Sequence, residues 1–181
     1  MRRSRRPAVR LAIASTDDEL VDALRADGRE VTALVDNAGS PEPTHATGDR
    51  WPVRAVGRFV PPWDFDHIVA VLGAAPQHVA TSAMARAVPC HLWIGDDALL
   101  GVRLGANLHA LETARSVIVD SDEAAALVRG AADRPCPILV VDPQAARSER
   151  AAALAAWLDD VDGLNPTTIR HASSPVVSPD P

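Results

Sequence analysis

Short apolar runs of the kind strands require recur along this chain, separated by stretches in which apolar positions return every three or four residues. The runs are 8–15 ("AVRLAIAS"), 29–36 ("REVTALVD"), 53–60 ("VRAVGRFV"), 66–73 ("DHIVAVLG"), 89–95 ("PCHLWIG"), 115–121 ("RSVIVDS") and 136–142 ("CPILVVD"). Between the first two, "TDDELVDALRADG" places Leu20, Val21 and Leu24 on one helical face. Thr16 is its expected N-cap, with Glu19 three residues later completing a capping box, and Gly28 is its stop. Residues 8–36 are therefore one βαβ unit with parallel strands. Helical spacing also predicts helices over 76–87, 96–114, 121–131 and 144–161, the last with Pro143 near its first turn.

Strands that are apolar throughout, alternating with helices, imply a sheet covered on both faces. The expected fold is α/β: a doubly wound, mostly parallel, Rossmann-like sheet of about six or seven strands spanning residues 8–162. The flanks differ in kind. Residues 37–52, rich in Gly, Pro, Ser and Thr, predict a loop. Residues 163–181 hold four Pro and no periodic pattern, and predict a disordered tail. Residues 1–7 predict a solvated basic arm.

Charge and cysteine content narrow the partners. A formal net charge of −6 argues against nucleic-acid binding, which needs a basic face. The arm is the exception, and Arg2, Arg3, Arg5 and Arg6 are where weak contact with an anionic surface would occur. No apolar run reaches the roughly 18 residues that span a bilayer. Cys90 and Cys136 are too few for a disulfide framework or a metal site, and are expected to be buried free thiols, which fits a reducing cytoplasm.

In doubly wound sheets ligands bind beyond the carboxyl ends of the strands, where strand order reverses. That rule singles out Ser15 and Thr16, Asp36 and Asn37, Gly73 to His78, Gly95 to Asp97, Asp120 to Asp122, and Asp142. The first strand is followed by "ASTDDEL", not by a glycine-rich dinucleotide turn, and Asp17 and Asp18 would repel a pyrophosphate. There is likewise no phosphate loop of the G-x-x-x-x-G-K-[ST] kind and no nucleophile elbow. No cofactor and no metal is expected.

Four stretches in order, "VLGAAPQH", "LWIGDDALL", "VIVDSDEAA" and "ILVVDPQA", are together similar to the acceptor-side domain of GT-B glycosyltransferases of the retaining family-4 type. The resemblance covers residues 8–142 and implies half of a GT-B fold, an acceptor cleft and a role in glycosyl transfer. It makes Ser15, Thr16, Gly73, His78, Asp96 and Ser121 the expected substrate-binding residues. His78 and Asp96 match the family's pattern. Ala74 and Ala75 stand where the family has Asn-Ser, Gly95 where it has His, Asp120-Ser121 where it has His-Ser or Val-Ser, and Asp142-Pro143 where it has His-Pro. The family's donor-binding domain, with its acidic pair and basic phosphate clamp, has no counterpart here. The expectation is either the acceptor half of a split transferase, completed by a partner subunit, or a non-catalytic relative. The alternative is a Rossmann-like interaction or small-ligand module without sugar chemistry.

The plainer roles of the same residues are structural. His78 suits a turn as well as a cleft, Asp96 and Asp97 suit helix caps, and Ser121 and Asp122 suit the cap of the 121–131 helix. Trp51 and Trp63 suit packing beneath the loop they flank as well as stacking on a sugar. The 144–161 helix offers Ala152, Leu154, Trp157, Leu158 and Val161 to a core or to a partner subunit.

Overall fold

The computed structural model describes residues 10–14, 18–26, 29–36, 53–56, 65–72, 88–95 and 108–172. Eight strands form one sheet: β1 Arg10–Ala14, β2 Glu30–Asp36, β3 Val53–Val56, β4 His67–Leu72, β5 Cys90–Ile94, β6 Ser116–Val119, β7 Ile138–Val140 and β8 Ile169–His171. Their order across the sheet is β3-β2-β1-β4-β5-β6-β7-β8, and every neighbouring pair is parallel. Four helices are described: α1 Asp18–Ala26, α2 Leu108–Thr113, α3 Asp122–Ala131 and α4 Arg147–Asp160, the last followed by a 3-10 turn at Val161–Gly163. This is the expected Rossmann-like α/β architecture, and the order reverses between β1 and β4.

Alternate residues of the central strands feed two separate cores. Ile68, Ala70, Leu92, Ile94, Val117, Val119, Ile138 and Val140 point to one face, where Leu111 of α2 and Ala124, Ala125 and Val128 of α3 cover them. Val69, Trp93, Ile118, Leu139 and Val141 point to the other, with Leu24 of α1 and Leu154, Ala155, Trp157 and Leu158 of α4. Each strand is thus apolar on both sides, which is why the sequence shows continuous runs rather than alternation.

The placement of α4 sets the chain's last move. The β1–α1–β2 connection travels one way across the sheet over the α1 face. The β5–α2–β6 and β6–α3–β7 connections travel the other way over the opposite face, so all three share one hand. The β7–α4–β8 connection keeps their direction but crosses the α1 face, and so has the opposite hand, a rare choice for parallel neighbours. The reason lies in coverage. The described helices between β5 and β7 both lie on the α2–α3 face, so Val69, Trp93, Ile118 and Leu139 need a lid from elsewhere. Helix α4 supplies it by running back to α1.

Two expectations are corrected. The sheet has eight strands instead of six or seven, because residues 163–172 are ordered structure and not the start of a disordered tail. Ile138 N–H donates to Thr168 O at 2.9 Å and Ala172 N–H to Val140 O at 2.9 Å, stitching β8 onto β7. The last helix begins at Arg147 rather than 144. Asp142 Oδ1 accepts from Gln144 N–H at 2.8 Å and Asp142 O from Ala145 N–H at 3.1 Å, so Pro143 sits in a turn before the helix. Glu149 then caps the helix, its Oε2 accepting from Ala146 N–H at 3.3 Å.

Leu154 is fully buried under this lid while Ala152 is exposed. Leu154→Ala should therefore lower unfolding free energy by about 2–5 kcal/mol in a denaturant titration. Ala152→Ser should change it by no more than about 0.5 kcal/mol.

Candidate functional site

Two polar regions occupy opposite ends of the sheet. At the carboxyl edge, Trp93 Nε1–H donates to Asp120 Oδ1 at 3.2 Å, tying the end of β5 to the residue after β6. Gly95 closes β5 beside that carboxylate, where an added Cβ would lie 3.9 Å from Asp120 Oδ2. Ser121 is the N-cap of α3, its Oγ accepting from Ala124 N–H at 3.1 Å. Asp122, in the first turn of α3, receives His171 Nε2 at 2.7 Å, so the end of β8 is clasped to α3. Asp120 follows β6, Asp122 and Glu123 stand in the first turn of α3, Asp142 follows β7, and Arg147 and Arg150 stand at the start of α4.

The amino edge holds a buried polar chain. His67 opens β4, His91 is the second residue of β5 and Ser116 opens β6. Register pairs His91 with Ser116 across β5–β6 and with Val69 across β4–β5, which leaves His67 diagonal to it on the same face. His67 Nδ1 lies 3.0 Å from His91 Nε2, and His91 Nδ1 lies 2.8 Å from Ser116 Oγ. Trp157 of α4 completes the chain, its Nε1–H donating to Ser116 Oγ at 2.9 Å. His91, Ser116 and Trp157 have no solvent exposure. Burial drives His91 down to about 3, helped by His67 and Arg115, and also lowers His67. Both imidazoles are neutral near pH 7.

A serine 2.8 Å from an imidazole has the spacing of a nucleophile and its base. Ser116 is nevertheless sealed beneath α4, so no substrate reaches it. Its chemistry is structural, satisfying the indole of Trp157 and joining three strands to a helix.

Around this chain, charged groups hold the end of α4. Arg29 Nη2 donates to Ala155 O at 2.8 Å and pairs with Asp159 at 3.0 Å. Arg170 pairs with Asp160 at 3.0 Å and lies 5.5 Å over the Trp157 ring. Arg115 pairs with Asp162 at 2.9 Å.

A cavity of about 510 Å³ also opens at the amino edge, lined by Cys90, Arg115, Arg134 and Cys136 among others. Both thiols are free, Cys90 buried and Cys136 half-buried. Burial raises them to about 12 and about 11. Burial thus favours the thiol form of both at neutral pH, which argues against a cysteine nucleophile here. No cluster of three metal-ligating side chains occurs among the described residues.

Of the expected substrate-binding residues, Ser121 is described, and it caps a helix. Ser15, Thr16, Gly73, His78 and Asp96 lie outside the described residues, as do Asp97, Trp51, Trp63 and the arginines of the basic arm. Sequence reasoning missed the His67–His91–Ser116–Trp157 chain. A signal for it exists: His67, His91 and Ser116 each fall within the first two residues of three successive strands. No family model matches this chain, no curated protein matches it, and no solved structure matches it.

Replacing Ser116 by Ala removes the partner of both Trp157 and His91, and should cost about 1–3 kcal/mol in a denaturant titration. Alkylation at pH 8 should modify Cys136 of the native chain about 100-fold more slowly than the unfolded chain, because so little thiolate is present. Rates by mass spectrometry in native buffer and in urea check this.

Proposed function

We propose that this chain is a binding domain for a small hydroxyl-bearing ligand, held at the carboxyl edge of the sheet. In this reading it serves on the acceptor side of a glycosyl-transfer reaction, as one half of a split transferase or as a non-catalytic relative. The observation that carries the reading is the reversal of strand order between β1 and β4 in an all-parallel sheet. Strands on either side of such a point send their following segments to opposite faces, and the gap between those segments is where this architecture takes ligands.

The chemistry of the edge supports the acceptor role over the donor role. Farther along the same carboxyl edge, two and three strands beyond β4, the carboxylates of Asp120, Asp122, Glu123 and Asp142 would accept hydrogen bonds from hydroxyl groups and repel a diphosphate. Trp93 orients Asp120 through its indole N–H, as a recognition carboxylate requires. A nucleotide-sugar needs its leaving phosphates neutralised, and a partner subunit would provide those cations. The four motifs quoted above agree with this division of labour.

Titration of the purified chain with a panel of mono- and oligosaccharides, read by calorimetry, tests the proposal. Saturable binding is expected, weakened about 10-fold or more by Asp120→Asn, which keeps the shape of the side chain but removes its charge. Arg134→Ala at the opposite edge should leave it unchanged. The chain alone should not turn over nucleotide-sugars. Absence of binding across the panel, or binding indifferent to Asp120→Asn, defeats the sugar reading in favour of an interaction module.

A further inference from the structure

The buried chain beneath α4 has a direction. An indole N–H can only donate, so Ser116 Oγ accepts from Trp157 at 2.9 Å. The serine proton then goes to His91 Nδ1 at 2.8 Å, which leaves His91 carrying its proton on Nε2 and donating to His67 Nδ1 at 3.0 Å. In this order every donor between Trp157 and His67 has an acceptor, both imidazoles are Nε2–H tautomers, and His67 Nε2–H is the terminal donor at the half-buried end. The reverse order leaves Ser116 accepting twice, with no acceptor in the chain for its own proton.

A proton added to His67 Nδ1 turns the last acceptor into a donor facing another donor. A proton added to His91 Nδ1 does the same at Ser116. Either event forces a buried N–H or O–H out of its hydrogen bond; His67, His91 and Ser116 stand on strands joined by the backbone ladder of the sheet, whereas Trp157 stands on a helix outside that ladder.

We propose that the Trp157–Ser116–His91–His67 chain is an acid-operated latch: it holds the C-terminal half of α4 on the sheet near neutral pH and releases it on protonation, while the α2–α3 face stays packed. The surrounding charges set its threshold. Asp66 before β4, Asp159 of α4 and Asp162 of the 3-10 turn favour a charged His67, and Arg29 opposes it. Arg115 opposes charge on His91. Burial outweighs the carboxylates, so the latched form is neutral.

Once α4 lifts, the imidazoles return toward an ordinary histidine value near 6.5 and take up protons before the latched form does. Latching is therefore complete above about pH 6.5 and weakens as pH falls toward the latched-state values. Each imidazole kept neutral in the latched form makes opening about 10-fold more favourable per pH unit below about 6.

Hydrogen exchange on the full chain tests this, comparing protection factors of α4 amides and the Trp157 indole N–H with those of α3 amides. The α4-to-α3 ratio should fall more than 10-fold per pH unit between about pH 6 and pH 5. His67→Gln accepts from His91 Nε2–H but does not titrate, so its ratio should fall no more than about 10-fold per unit. A constant ratio, an equal fall in the variant, or parallel loss on both faces overturns the latch. Imidazole ¹⁵N shifts of the unmutated chain at pH 7 give a second test, independent of whether the variant folds. Two Nε2–H tautomers are expected, and an Nδ1–H tautomer at His91 overturns the assignment.

Discussion

The indole N–H of Trp157 is the constraint around which the rest of this structure is arranged. A fully buried tryptophan contributes a large apolar area, but its one donor must find an acceptor or cost about 1–3 kcal/mol. The acceptor is Ser116, at the amino end of a central strand, so α4 must lie over β6 and cannot simply flank β7 and β8. That requirement agrees with the face α4 covers, the one on which Val69, Trp93, Ile118 and Leu139 need a lid. It also explains why Arg29, Arg170 and Arg115, from three separate segments, converge on residues 155–162.

The two edges of the sheet have taken opposite chemical roles. At the amino edge the polar groups are buried and aligned end to end, a pattern that fixes register among β4, β5 and β6 while excluding substrate. At the carboxyl edge the polar groups are partly or fully exposed carboxylates and a helix cap, where a ligand can reach them. Function in a parallel sheet belongs at the carboxyl end, because helix N-termini and short loops gather there. The histidines that look most like catalytic groups therefore stand at the wrong end for catalysis and at the right end for stability.

Much of the fold was legible because burial leaves a compositional trace. The runs around Val69, Leu92, Ile118 and Leu139 are apolar on consecutive residues, and only a strand covered on both faces needs that. The cap of α3 was legible too, since Ser121 followed by Asp122 and Glu123 is local chemistry. Strand β8 was not. Its three residues are exposed or half-buried at the sheet's edge, Ile169 being 39% exposed, so the strand carries no apolar signature. Its order comes from β7, from the clasp of His171 to Asp122, and from Arg170 over Trp157.

The sequence by itself determined the alternation of strands and helices, the parallel sheet and the two-sided core, because each is written in the spacing of apolar residues. It also determined what is missing, namely the glycine-rich phosphate turns. Tertiary structure alone decided which polar residues meet. His67, His91, Ser116 and Trp157 are spread over 90 positions in the chain, and nothing local to any one of them specifies the others. Register between parallel strands and the diagonal path of α4 bring them within hydrogen-bond distance, and both are set by burial of whole faces rather than by neighbours in sequence.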